Sequence, residues 1–182
     1  MSQATATATR TIGTRVVSTA WATMAGGLLL LAGAAIDGTT WFTASLSSLS
    51  HLLLLVGMIG LWTSRAMGRG RMARAGTWIT VICWAILAVA ELVDVVSTEV
   101  ANVLFSVATL GLPAGLILAG IATLRTRLWK GWHRFTPLIA GLFVVVVVFP
   151  SFALPGRDFE YAIAAWGVCL VLLGAAMRAE AA

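Results

Sequence analysis

Residues 76–123 read GTWITVICWAILAVAELVDVVSTEVANVLFSVATLGLPAGLILAGIAT. The stretch holds two apolar runs, 76–96 and 100–123, with only Ser97, Thr98 and Glu99 between them. Each run reaches the roughly 20 residues that carry an α-helix across a ~30 Å hydrocarbon core. So short a connection makes the two runs a tight antiparallel hairpin. A backbone in lipid must satisfy its own hydrogen bonds, so helix is the state open to such runs.

Working outward, four more apolar runs occupy 16–36, 46–62, 137–152 and 161–177. The reading is an all-α, polytopic transmembrane bundle of six spans. The fifth run opens on Pro137, a favourable first-turn residue, and contains five consecutive valines, Val144 to Val148. In water those valines would suggest a strand, but among membrane spans they are read as helix. The second run has a serine-rich start, Ser45, Ser47, Ser48 and Ser50, suited to capping its first turn. Residues 1–15, rich in Thr and Ala without apolar periodicity, read as a short disordered tail, and 179–182 as a second tail. Arg15 and the small residues Ala32, Gly33 and Ala34 around the first run also resemble a cleavable signal peptide, but the run is long enough to span and is kept as the first helix.

Composition agrees. Of 182 residues, 60% are apolar and 10% charged, and the mean hydropathy is +0.97, which excludes a water-soluble globule. No polar stretch exceeds roughly 15 residues, too short for a separate extramembrane domain. The net charge of +5 does not point to nucleic acid, because the basic residues sit in short clusters beside apolar runs. Cys83 and Cys169 lie mid-run without metal-ligand spacing and read as small apolar residues.

Those clusters orient the chain. With the N-terminus inside, Arg10, Arg15, Arg65, Arg69, Arg71, Arg74, Arg125, Arg127, Lys130, Arg134 and Arg178 all fall inside, and only Arg157 falls outside. Asp37, Glu91, Asp94, Glu99, Asp158 and Glu160 fall at the outer ends, leaving Glu180 inside. The positive-inside rule therefore predicts both termini in the cytoplasm, and the arginine-rich, alanine-rich composition suggests a bacterial plasma membrane.

Three groups of residues are candidates for function. Glu91, Asp94 and Thr98 recur at i, i+3 and i+7, which places all three on one face of the third helix. With Asp37 at the end of the first run and His51 in the second, they would form a polar vestibule near the outer boundary, where carboxylates require water, a cavity or a partner. Proton or cation handling and a metal site are the functional readings of that cluster; hydrated interfacial groups are the plain alternative. Gly111, Pro113 and Gly115 in the fourth run suggest a kink and a close helix contact. Trp129, Lys130, Trp132 and Arg134 form an aromatic and basic loop suited to anchoring on anionic headgroups. No catalytic, phosphate-binding or cofactor motif stands out, so a cofactor is unknown. Three function classes remain: a small membrane protein handling a solute, proton or cation through an outward-facing polar vestibule; an accessory or scaffold subunit, within a homo-oligomer or larger membrane complex; and an intramembrane enzyme.

Overall fold

The computed structural model describes residues 3–33, 36, 40–153 and 158–181, with side chains described from Val16 in the first helix and from Phe159 in the last. The described residues form helices α1 (Gln3–Gly33), α2 (Trp41–Thr63), α3 (Arg71–Asp94) and α4 (Thr98–Thr126), a composite α5, and α6 (Asp158–Ala181). Six of these are long and apolar enough to cross a membrane, α5 together with the short 3₁₀ turn before it. Large apolar side chains such as Leu28, Leu52, Ile82, Val103, Val146 and Leu172 are exposed all around the bundle, the surface a lipid solvent requires. The protein is a multi-pass membrane protein.

Helix ends follow local chemistry more than hydropathy. α2 starts at Trp41, upstream of the expected 46, because Thr40 and Thr43 form a reciprocal capping box: the Thr43 N–H donates to Thr40 Oγ1 at 3.2 Å and the Thr40 N–H to Thr43 Oγ1 at 2.8 Å. The serines expected to cap lie inside the helix, where two of them bond neighbouring helices: Ser48 Oγ donates to the Ala88 carbonyl at 2.8 Å and Ser50 Oγ to the Gly26 carbonyl at 3.3 Å. α3 likewise starts before the expected 76, since Arg71 and Arg74 are good helix formers that lower hydropathy without ending the helix. It stops at Asp94, and Ser97 caps α4. The tight hairpin is present with its turn at 95–97, two residues earlier than expected. α1 is helical from Gln3, so the segment read as a disordered tail and the first span share one element.

The valine run is helical but not α-helical. α5 runs as α-helix over Thr136–Phe143, as π-helix over Val144–Val148 and as a last α-helical turn, Phe149–Ser151. Pro150 explains the widening. Its ring would strike the Val146 carbonyl and it lacks an N–H for it. The looser π turn accommodates that loss, with the Phe149 N–H reaching back to the Val144 carbonyl.

Each helix packs on its chain neighbours, α5 on α6, and α6 back on α1, closing a ring. The ring is pinched where glycines remove side chains. A Cβ on Gly27 of α1 would lie 2.7 Å from the Gly167 carbonyl of α6, and one on Gly120 of α4 would lie 2.5 Å from the Leu138 backbone of α5. Two cores result. One, around Leu61, Met67, Ala119, Trp129 and Met177, fills the end that carries the arginine-rich loops. The other, around Leu54, Trp84, Leu112, Val148, Trp166 and Leu170, lies toward the opposite, acidic end.

Candidate functional site

Toward the acidic end the helices diverge around a cavity of about 1000 Å³ to which all six contribute. α1 supplies Leu30 and Gly33, α2 Ser47 and His51, and α3 Leu87 and Glu91; α4 gives Asn102, Phe105, Ser106, Thr109 and Leu112. The π segment and last turn of α5 add Val144, Val148 and Phe149, and α6 adds Phe159, Glu160, Ile163 and Trp166. Bulky Phe side chains on α4, α5 and α6 line the cavity here. The wide π turn contributes Val144 and Val148 to the same wall.

His51 lies ten residues into α2, about 15 Å from its start at 1.5 Å per residue. It is 6% exposed, and its Nδ1 is buried with no hydrogen-bond partner. Glu91 Oε1 of α3 lies 3.9 Å away, too far for a direct hydrogen bond. The His51 ring stacks on Trp84 of α3 at 5.4 Å, and Trp84 stacks on Trp166 of α6 at 5.4 Å. Trp166 Nε1 donates to the Ala140 carbonyl at 2.8 Å, fastening α6 to α5. Trp84, 2% exposed, forms the base of this stack. Beyond it lie an apolar void of about 10 Å³, at the limit for one water, and the packed core of Leu61, Met67, Ala119 and Met177 at the arginine-rich end.

The residues singled out from sequence fall out as follows. His51 and Glu91 meet in the cavity. Asp94 is the half-buried last residue of α3 and does not line it. Thr98 is exposed and opens α4, because α3 ends at Asp94 and the i+7 relation to Glu91 is broken. Asp37 lies outside the described residues. Among the described residues no group of three His, Cys, Asp or Glu side chains stands close enough for a metal.

The polar stripe that sequence reasoning passed over is Asn102, Ser106 and Thr109 at i, i+4 and i+7 of α4. That spacing was the available signal. Pro113, inside α4, has no N–H for the Thr109 carbonyl, freeing a backbone acceptor at a residue of the cavity wall. Gly115 abuts the backbone of α3, where a Cβ would meet the Thr80 nitrogen at 2.9 Å, and one on Gly111 would meet Cys83 Sγ at 2.6 Å.

At the arginine-rich end, Trp132 is exposed and its ring meets His133 edge-on at 4.6 Å. Lys130 is exposed, and Arg134 lies over the Phe135 ring at 4.9 Å. Trp129 departs from the anchoring role expected of it: it is buried against Ala66, Met67 and Met177, because the loop folds under the bundle. Glu180 of α6 ties that loop down, accepting from the Lys130 N–H at 3.1 Å and lying 2.7 Å from His133 Nδ1. Compared with family models, curated proteins and solved structures, the chain matches none of them.

Proposed function

We propose that this protein handles a small solute or cation through the cavity at its acidic end. The proposal sets it in a bacterial plasma membrane with its N-terminus in the cytoplasm and the cavity facing outward. The observation that carries the reading is the buried, unpartnered Nδ1 of His51 beside Glu91, at the inner part of a cavity of about 1000 Å³ with contributions from every helix. An ionisable group at membrane depth is costly and is retained where it meets water, a partner or a ligand. A predominantly apolar concavity with a few convergent polar groups is the usual form of a small-molecule site. The clustering of basic residues in the loops at the closed end supports the orientation.

The test is labelling of intact cells with a membrane-impermeant maleimide. Ser106→Cys, on the cavity wall, is expected to react from outside; Arg69→Cys, in a loop at the other end, is expected to react only after permeabilisation. The wild-type chain, with Cys83 buried and Cys169 half-buried, sets the background. Protection of Ser106→Cys from outside, with reaction only after permeabilisation, would overturn the outward-facing vestibule.

A further inference from the structure

We propose that the cavity binds a lipophilic amine in its protonated form, the ammonium group lying between His51 Nδ1 and Glu91 and the apolar body filling the aromatic chamber. This inference rests on the vestibule reading and names the ligand class.

Size comes first. A volume of about 1000 Å³ suits an organic molecule and far exceeds the single coordination shell of an inorganic ion. The wall then selects the body of the ligand. Phe105, Phe149, Phe159 and Trp166 present aromatic surface to the chamber, which favours apolar matter and also attracts cations to ring faces.

Charge selects the head. The charged side chain that faces His51 in the cavity is the carboxylate of Glu91. Glu91 is only partly exposed beside the buried His51, and there the attraction of a carboxylate for a cation is stronger than at an open surface. Geometry finally selects an N–H donor. His51 Nδ1 and Glu91 Oε1 stand 3.9 Å apart, each able to accept, with no bond between them. An ammonium nitrogen at the usual ~2.9 Å from both would bridge the pair and satisfy the orphaned ring nitrogen. A quaternary onium offers no N–H and satisfies neither; a carboxylate ligand would be repelled by Glu91.

The experiment uses the full-length protein in nanodiscs and four compounds that share a phenylalkyl body. 4-Phenylbutylammonium carries N–H donors and charge; its N,N,N-trimethyl derivative keeps the charge alone. 4-Phenylbutanol is neutral and 5-phenylpentanoate is anionic. Affinities come from ligand-dependent thermal shifts. The primary ammonium is expected to bind at least roughly tenfold more tightly than the alcohol, a difference of ~1.4 kcal/mol, with the trimethyl compound between them and the carboxylate weakest. Glu91→Gln is expected to bring the ammonium down to the affinity of the alcohol while leaving the alcohol unchanged. Equal binding of ammonium, alcohol and carboxylate, or an unaltered ammonium affinity in Glu91→Gln, overturns the proposal. If Glu91→Gln does not fold, the ranking of the four compounds on the wild-type protein decides alone. Should none of them bind while Ser106→Cys still reacts from outside, the amine falls and the vestibule stands; if Ser106→Cys is also protected, both fall.

Discussion

The same six helices are closed at one end and open at the other, and the contrast lies in the size of the residues at their crossings. Toward the arginine-rich end, Gly57 and Gly60 of α2 lie against Thr23 and Thr19 of α1, Gly120 of α4 against Leu138 of α5, and Gly174 of α6 against Ala20 and Met24 of α1. At each of these crossings one helix contributes no side chain, and Met67, Trp129 and Met177 fill what space remains. Toward the acidic end, Phe105, Phe149 and Phe159 line the cavity, and Gly33, at the cavity edge, has no described atom within 4 Å of the place a Cβ would take. Without a hydrophobic drive between helices in lipid, close backbone approach is what holds spans together. A gradient from small to bulky residues along the helices thus yields a bundle pinched at one end and splayed at the other.

The contrast can be broken most forcefully at the pinch. Gly120→Leu drives a side chain into the Leu138 backbone, which cannot move like a flexible side chain; overpacking of this kind costs about 1–3 kcal/mol or more. The expected outcome is a large drop in Tm in detergent or loss of folded protein, whereas Gly33→Leu is expected to melt like wild type. Equal behaviour of the two variants would remove the distinction between the ends.

A smaller effect is expected where polar bonds join helices beside the cavity. Ser48→Ala deletes the bond to the Ala88 carbonyl between α2 and α3. Interhelical hydrogen bonds of this type average about 0.6 kcal/mol, with a maximum near ~1.7. A modest fall in Tm is expected, and no change would mean that α2 and α3 are held here by apolar contact alone.

The smallest effect sharpens the account of the closed end. Arg65 follows α2 with φ 60, a left-handed conformation in which glycine avoids the Cβ clash. Arg65→Gly relieves that clash but loosens the unfolded chain, leaving an expected net gain below about 0.5 kcal/mol. A measurable destabilisation would show that the arginine side chain contributes at this turn.

Much of this was legible from residue patterns, for reasons that also mark where legibility stopped. The six spans follow from lengths of apolar run alone, because lipid admits few alternatives to helix. Their ends did not, since Arg71 and Arg74 lower hydropathy while remaining helical, and since the Thr40–Thr43 capping box starts α2 ahead of its apolar run. His51 and Glu91 could be paired from depth along neighbouring helices. The stack through Trp84 and Trp166 could not, because it depends on how each helix is rotated toward the centre, and α3 and α6 are apolar on several faces. The stripe of Asn102, Ser106 and Thr109 was present at helical spacing, yet uncharged residues cost little in a span and so attract little notice. Thr98 was misplaced by one cause: the helix carrying Glu91 ends at Asp94.

The central claim is that water reaches along α4 from the acidic end and stops near Trp84. The most direct measurement is the rate of maleimide labelling of single cysteines placed at Asn102, Ser106, Thr109, Leu116, Ala119 and Thr123, in nanodiscs, in a chain with Cys83 and Cys169 replaced by alanine. The account predicts fast reaction at 102 and 106, slower reaction at 109, and protection at 116, 119 and 123, where α4 is buried. Uniform protection along the helix, or fast reaction continuing to 123, would contradict it.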